Sequence, residues 1–192
     1  MLAACKTAPQ QAQKSVFPDN YESLSNQEKL RWLSHWELSG KIAVITPDER
    51  KSAYLNWEQR EREFDFKLSN LIGVTLLDLN YDGIIASIEA DGETYTDSST
   101  EALIYRTTGW ILPLENLPQW IKGQTNEQDL VELNADNLPK RLTPVCAACF
   151  GWEITYSNYK ETEGVWLPYA ITVRNPQKKT QLKFKVNQWT RQ

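Results

Sequence analysis

The sequence predicts one mainly β domain, an antiparallel meander of roughly ten or eleven strands that carries three short helices. Three observations predict this class. Apolar and polar side chains alternate over most of the chain, which is the period of a half-buried strand. Tight turns separate the first strands, as hairpin connections do. A length of 192 residues, with 41% hydrophobic and 24% charged residues, is ordinary for one globular domain.

The first residues resemble a lipoprotein processing site. Residues 1–5, MLAAC, end in a Leu-Ala-Ala-Cys sequence that resembles the lipobox at which bacterial lipoprotein precursors are cleaved and acylated. We therefore expect residues 1–5 to be the remnant of a lipoprotein signal and Cys5 to carry covalent lipid. Only Met1 precedes the motif, so the start is expected to be truncated or mis-assigned, and the true start of the signal peptide stays open.

The segment that follows has the composition of a tether. Residues 6–20 are rich in Gln, Pro, Ala and Lys, which predicts a flexible linker and leaves 21–192 as the folded domain. Lys6 stands where an Asp commonly retains lipoproteins in the inner membrane. By resemblance to lipoproteins generally, this favours a lipid anchor on the periplasmic face of the outer membrane. No run of 18 apolar residues occurs, so no membrane-spanning helix is predicted.

The first half of the domain is predicted as one helix and a strand meander. The helix is expected over residues 23–35, where Ser25 and Glu28 can form a capping box. His35 is expected at the helix end, in a capping or surface role. Apolar alternation then predicts six strands, at residues 36–46, 52–57, 64–69, 74–79, 84–88 and 93–96.

The turn at residues 70–73 is unusual for a hairpin tip. Such tips face water and are normally polar, yet Leu71 and Ile72 lie between Asn70 and Gly73. The apolar pair either folds back over the sheet or forms an exposed contact with lipid or a partner. On an anchored sheet without catalytic residues, we favour the exposed contact.

The second half predicts two helices and further strands. A helix over residues 98–109 can begin at Ser98 or Ser99 and end at Gly109, and a second is expected over 114–123. Strands are weakly indicated across 130–142 and strongly afterwards. A large antiparallel sheet must bury one face, so it either closes into a barrel or is covered by the helices on its concave side.

The residue types needed for catalysis are scarce. His35 is the only histidine and no phosphate-binding glycine loop occurs, so the sequence predicts no enzyme, no metal site and no cofactor. A net charge of −4 argues against nucleic acid as a partner. Cys146 and Cys149 have three open interpretations: a local disulfide, two buried reduced thiols or a redox motif.

Seven segments with characteristic aromatic and glycine positions are spaced along the folded domain: WELSGKIAV, Trp57-Glu58-Gln59, SNLIGVTLLDLN, GWILPLENLPQWIKG, GWEITYSNY, LPYAITV and LKFKVNQW. As a set they resemble the family of the outer-membrane lipoprotein receptor LolB, from the first helix to the C-terminus. The resemblance implies an unclosed antiparallel β-barrel of about 11 strands with a three-helix lid that encloses a hydrophobic cavity.

The resemblance also implies a function. Proteins of this family accept acylated lipoproteins from the soluble periplasmic carrier LolA and insert them into the outer membrane by non-covalent acyl-chain transfer. The expected partners are therefore LolA, acylated lipoprotein cargo and outer-membrane phospholipid, and the chain is expected to be a monomer. The alternative is a structural or assembly lipoprotein of the outer membrane whose barrel has a solid core and no transfer activity.

Site residues follow from the same resemblance. The protruding apolar loop of the family corresponds to Leu71, Ile72 and Gly73, with Ile72 at the key aliphatic position. The family often has Pro where this chain has Leu71, so a less rigid tip is expected. The candidate cavity lining, which could equally fill a solid core, consists of Trp36, Leu38, Ile42, Val44, Leu55, Trp57, Phe64, Phe66, Leu77, Ile84, Trp110, Leu117, Trp120, Ile121, Leu182 and Phe184.

Overall fold

The computed structural model describes residues 18, 20–90 and 93–191 of the protein. The expected signal remnant with Cys5, and all but two residues of the expected tether, lie outside the described residues. In the described ranges the helices are α1 (Asn26–Trp32), α2 (Thr100–Thr108) and α3 (Leu117–Trp120), with 3-10 turns at Tyr21–Ser23 and Ala147–Cys149. The strands are β1 (His35–Ile45), β2 (Arg50–Arg60), β3 (Glu63–Ser69), β4 (Thr75–Tyr81), β5 (Ala86–Ala90), β6 (Glu93–Asp97), β7 (Leu130–Leu133), β8 (Pro139–Thr143), β9 (Glu153–Thr162), β10 (Val165–Asn175) and β11 (Thr180–Arg191).

All eleven strands belong to one antiparallel sheet in the order β6-β5-β4-β3-β2-β1-β11-β10-β9-β8-β7. The first and last strands along the chain, β1 and β11, pair with each other in the middle of the sheet, where Ile42 lies opposite Phe184. Across the described residues, β6 and β7 are the two edges and do not pair with each other, so the sheet is unclosed. The predicted fold class is confirmed.

Period-2 alternation places the apolar side chains of each strand on one face of the sheet. In β1 the even-numbered positions from Trp36 to Val44 are buried while their neighbours are more exposed. The inward faces of the strands and the apolar sides of α2 and α3 form one contiguous buried cluster. The helices therefore lie against the concave face of the sheet, where they exclude water from its apolar side chains.

The caps of α1 and α2 follow local sequence. Ser25 accepts a hydrogen bond from the backbone N–H of Glu28, whose carboxylate accepts the N–H of Ser25, so the predicted capping box is confirmed. Ser99 caps α2, and Gly109 ends it in the left-handed conformation. By contrast, α1 is shorter than predicted and His35 begins β1. The predicted helix over 114–123 contains a single helical turn, Leu117–Trp120, followed by further turns.

A β-bulge lies where the register of β1 and β11 shifts between Ser39 and Gly40. A Cβ atom at residue 40 would overlap the backbone oxygen of Lys185 and lie 3.0 Å from the Cα of Val186. Glycine is therefore required for the close approach of the central strand pair.

Alternating strand directions divide the connections between two ends of the sheet. We name one end the tip rim; it contains the turns at 46–49, 70–74 and 176–179 and the segment 145–151 that leads into β9. The other end, named the opposite rim, contains the turns at 61–62, 82–85, 134–138 and 163–164. The clefts and exposed turns of the site described below each lie at one of these two rims.

Candidate functional site

Aromatic rings in tilted and edge-to-face contact form the centre of the concave interior. The ring centroid of Trp36 lies 5.0 Å from that of Trp57 and 5.2 Å from that of Trp189. Trp57 in turn lies 5.3 Å from Phe66 in an edge-to-face arrangement. Such pairs combine large apolar area with a preferred geometry, so they build a broad and ordered apolar wall.

The helical segments fill the space in front of this wall. Their apolar side chains have almost no exposed surface and join the same cluster as the strands: Leu103, Ile104, Leu112, Leu114, Leu117 and Ile121. The ring centroid of Trp120 lies 6.2 Å from that of Trp152, which directly precedes β9. In this structure the described interior is thus occupied by the side chains of the helical lid, which consists of α1, α2 and residues 110–123.

Polar bonds hold the perimeter of the lid. The indole Nε1 of Trp110 donates a 2.6 Å hydrogen bond to Glu49, and Arg106 forms a 3.0 Å ion pair with Asp97 at the β6 edge. The hydrogen bond from Trp110, and after it that from Lys51, lowers the pKa of the Glu49 carboxyl. Because these groups lie near the surface, water can replace each bond if the lid moves.

Lys122 is a buried cation that joins two parts of the lid. Its Nζ donates hydrogen bonds of 2.6 Å to the carbonyl of Leu33 and 3.2 Å to that of Leu30, at the end of α1. The carbonyl of Leu30 also accepts the backbone N–H of Leu33 at 3.3 Å, so the lysine adds a second donor to the cap of α1. Burial lowers the pKa of Lys122 to about 8.

A cleft of about 530 Å³ opens at the opposite rim beside the lid. Its apolar wall includes Trp36 and Phe64. Charged side chains of both signs complete the lining: Arg31, Arg62, Lys122, Glu61, Glu101 and Glu115. A second cleft, of about 360 Å³, opens at the tip rim between the turn at 46–49 and the turn at 176–179. Both clefts border the lid, so each end of the interior is accessible beside it.

The turn at 70–74 exposes its apolar residues. Leu71 is 81% and Ile72 83% exposed, so the pair does not fold back over the sheet. The side-chain Oδ1 of Asn70 accepts the backbone N–H groups of Ile72 at 3.1 Å and Val74 at 2.9 Å. These two hydrogen bonds form an Asx turn at the tip.

The two cysteines of the VCAACF segment form a disulfide. Cys146 and Cys149 are joined across the 3-10 turn Ala147–Cys149, which selects one of the three interpretations left open by the sequence. Phe150 follows directly and is 74% exposed. The crosslink closes a tight apolar turn on the tip rim.

Two further features concern metals and membrane-spanning helices. Within the described ranges, no three His, Cys, Asp or Glu side chains are grouped so that they could hold a metal ion. Across the same ranges, no helix combines the length and apolar character needed to cross a membrane.

Fifteen of the sixteen candidate lining residues are buried in the single cluster described above. Ile84 is the exception, and its prediction was wrong, because the residue is 73% exposed. It lies before β5 in a turn where Asp82 Oδ1 accepts the N–H groups of Ile84 and Ile85. Lys122 was missed, because its place between two helical segments depends on contacts distant in sequence.

An unclosed antiparallel sheet wrapped around a helical lid defines the fold class of this protein. A crystal structure of a LolA superfamily protein from Nitrosomonas europaea matches it with a TM-score of 0.59 at 9% identity, covering 88% of this chain and 92% of that one. At that identity the likeness concerns the fold alone.

The sequence comparison identifies the family. The family model described as outer membrane lipoprotein LolB matches residues 34–189. The protein named outer-membrane lipoprotein LolB from Aeromonas salmonicida is 35% identical over 99% of this chain and 91% of its own length. The one from Aeromonas hydrophila is 36% identical with the same coverage. The chain therefore belongs to the LolB family.

Proposed function

We propose that this protein is a receptor of the outer membrane that accepts acylated lipoproteins from the carrier LolA and delivers them to the membrane. Membership of the LolB family, whose relatives are named outer-membrane lipoproteins, supports the location. The proposal also includes a lipid anchor on Cys5, an orientation towards the periplasm and the non-covalent transfer of acyl chains. The protein acts as a monomer in this proposal.

The observation that carries the proposal is an apolar interior covered by a lid with a polar perimeter. Displacement of the lid exposes the aromatic wall around Trp36 and Trp57 to an incoming acyl chain. Each buried methylene contributes about 0.8 kcal/mol of binding free energy. A few buried methylenes of an acyl chain therefore suffice for binding without covalent chemistry. The residues proposed to contact acyl chains are the fifteen buried candidates named above.

The exposed pair Leu71 and Ile72 supports the delivery step. A partly inserted aliphatic tip places the tip-rim cleft next to the lipid, so an acyl chain leaves an apolar interior for an apolar membrane without crossing bulk water. We assign Leu71, Ile72 and Gly73 to the membrane-insertion loop. No energy source is needed, provided that the membrane binds the chains more tightly than the protein does.

Transfer of a labelled lipoprotein tests the proposal. A fluorescent lipoprotein bound to LolA is mixed first with the protein and then with liposomes, and its location is followed at each step. We expect label to move to this protein and then to the vesicles. Retention of all label on LolA, or on this protein when vesicles are added, contradicts the proposal.

The filled interior favours one alternative function, a structural or assembly lipoprotein with a solid core. Binding of a fluorescent fatty acid to the folded, delipidated protein separates the two. Saturable binding, which is lost when an excess of unlabelled fatty acid competes, supports transfer. No binding of the probe supports the structural role.

A further inference from the structure

The tip rim contains a second exposed apolar surface besides Leu71 and Ile72. In the disulfide-closed segment 145–151, the side chains of Val145 and Phe150 are 49% and 74% exposed. The segment contains no charged residue. Phe150 thus lies at the same end of the sheet as Ile72, but on the far side of the central strand pair.

Two lysines lie beside this apolar surface. The turn at 176–179 contains Lys178 and Lys179, both exposed, and no carboxylate. Asn175 holds the turn against the segment, because its Nδ2 donates a 3.0 Å hydrogen bond to the carbonyl of Phe150 while its Oδ1 accepts the N–H of Lys178. One buried side chain therefore joins the backbone at Phe150 to the cationic turn.

The carboxylates nearby are engaged by other groups. Glu153 is bound by Arg174 at 2.8 Å, and Asp129 accepts the backbone N–H groups of Asn126 and Val145. On the adjoining turn Glu49 is bound by Lys51, and only Asp48 adds an exposed acid. The patch formed by Phe150, Val145, Lys178 and Lys179 is therefore apolar and cationic.

The opposite rim carries charges of both signs, with Glu61 and Arg62 adjacent in the turn at 61–62 and acidic residues in its other turns. Its turns at 82–85, 134–138 and 163–164 carry Asp82, Asp136 and Glu163, and none of these turns contains Lys or Arg. An anionic surface attracts Lys178 and Lys179 and repels the three acidic turns of the opposite rim.

We propose that the patch formed by Phe150, Val145, Lys178 and Lys179 is a second contact with an anionic lipid bilayer, with Phe150 inserted at the interface and the lysines on lipid phosphates. The inference rests on the proposed function, which assigns the tip to the membrane. Two contacts on separate sides of the rim restrict the tilt of the sheet, whereas the tip alone leaves the protein free to rotate about it.

Vesicle binding by the full chain, purified without acylation or cargo, tests the patch. Vesicles of phosphatidylethanolamine and phosphatidylglycerol are used in a flotation assay. We expect Phe150→Ser to weaken binding about tenfold, because much of the buried aromatic area is lost. The matched control is Ile84→Ser on the opposite rim, which is 73% exposed and is expected to bind as the wild type does.

The lysines are tested with a charge-removing pair. The double variant Lys178→Gln, Lys179→Gln should bind the anionic vesicles about 5- to 30-fold more weakly, and should match wild type on phosphatidylcholine vesicles. Wild-type protein that does not float with anionic vesicles overturns the inference, as does binding of Phe150→Ser within about twofold of wild type. If Phe150→Ser keeps vesicle binding but loses cargo uptake from LolA, the patch contacts the carrier and the inference is wrong.

Failure of the inference and failure of the proposed function are distinguishable, because the flotation assay contains no cargo. If Phe150→Ser delivers cargo normally and floats as the wild type does, the second membrane contact is wrong and the proposed function stands. If the wild-type protein floats with the vesicles but transfers no cargo, the proposed function is wrong and the membrane contact stands.

Discussion

The indole Nε1 of Trp110 donates a 2.6 Å hydrogen bond to the carboxylate of Glu49, and this bond ties the end of α2 to the turn between β1 and β2. Trp110 lies at the boundary of the buried cluster and Glu49 on the tip rim. The pair thus closes the lid at the end of the sheet from which the tip projects.

Trp110→Phe should loosen the lid without removing an aromatic ring. We expect faster uptake of a fluorescent fatty acid, by several-fold, in stopped-flow measurements, because one bond to a charged acceptor is lost. Trp166→Phe, at an exposed tryptophan outside the lid, is the control. Equal uptake rates for wild type and Trp110→Phe contradict the idea that the bond between Trp110 and Glu49 holds the lid closed.

The same bond predicts a pH dependence. The pKa of Glu49 is lowered in the folded protein, so its contribution to stability is present above the unfolded pKa near 4.5 and is lost as pH falls through the folded value. The difference in stability between wild type and Trp110→Phe should therefore shrink at acidic pH. Urea unfolding from pH 7 to pH 3 measures it, and a constant difference contradicts the prediction.

Lys122 predicts a pH dependence of the same sign in a more alkaline window. Its pKa is about 8 in the folded protein, against 10.5 for an unperturbed lysine, so the unfolded chain binds more protons between these limits. Stability should rise with pH in that window, by roughly 3 kcal/mol in total. In Lys122→Met this rise should be absent, which urea unfolding at pH 8, 9 and 10 can measure. A rise of equal size in both proteins excludes Lys122 as its cause.

Ile72→Glu should separate delivery from binding. We expect the variant to fold and to accept cargo, but to deliver it at least tenfold more slowly, because a carboxylate is expensive to insert into lipid. Ile84→Glu introduces the same charge at a similarly exposed isoleucine on the opposite rim and should deliver normally. If both variants lose delivery equally, general charge repulsion rather than the tip explains the effect.

Gly40→Ala should destabilise the central strand pair. The added Cβ meets backbone atoms of Lys185 and Val186, which cannot move without shifting β11, and we expect a loss of about 1–3 kcal/mol. Ser39→Ala on the same strand provides the control and should cost much less. The free energy of unfolding in urea measures both, and equal losses contradict the steric explanation.

The disulfide between Cys146 and Cys149 should add a modest stability. A crosslink that closes so short a loop contributes about 2 kcal/mol through the unfolded chain. Reductant should lower the unfolding midpoint of wild type and leave that of the Cys146→Ser, Cys149→Ser double variant unchanged. A wild-type midpoint that does not respond to reductant contradicts the prediction.

Much of the fold was predictable because its signals are local. Ser25 and Glu28 define the start of α1, Gly109 defines the end of α2, and alternation identifies the buried face of β1. Ile84 was misassigned because the apolar alternation continues through residues that Asp82 draws into a turn. The Asp82-Gly83 pair was a visible turn signal, and it outweighs the pattern on its C-terminal side.

The site was less predictable, because its features depend on contacts between distant segments. Trp110 and Glu49 are 61 residues apart, and Lys122 reaches carbonyls about 90 residues earlier. Alternation identifies which side chains face inward but not what they meet there. For that reason Trp36 or Leu55 looks the same in a chain with an empty cavity and in one whose lid fills it.

The filled interior has a consequence for affinity. If acyl chains bind where Leu117 and Ile121 now lie, the lid acts as an internal competitor, and the apparent dissociation constant rises in inverse proportion to the open population. The same competition favours release of the acyl chain, because the side chains of the lid return to the interior as the acyl chain leaves. A receptor of this kind gains directionality by binding its cargo weakly.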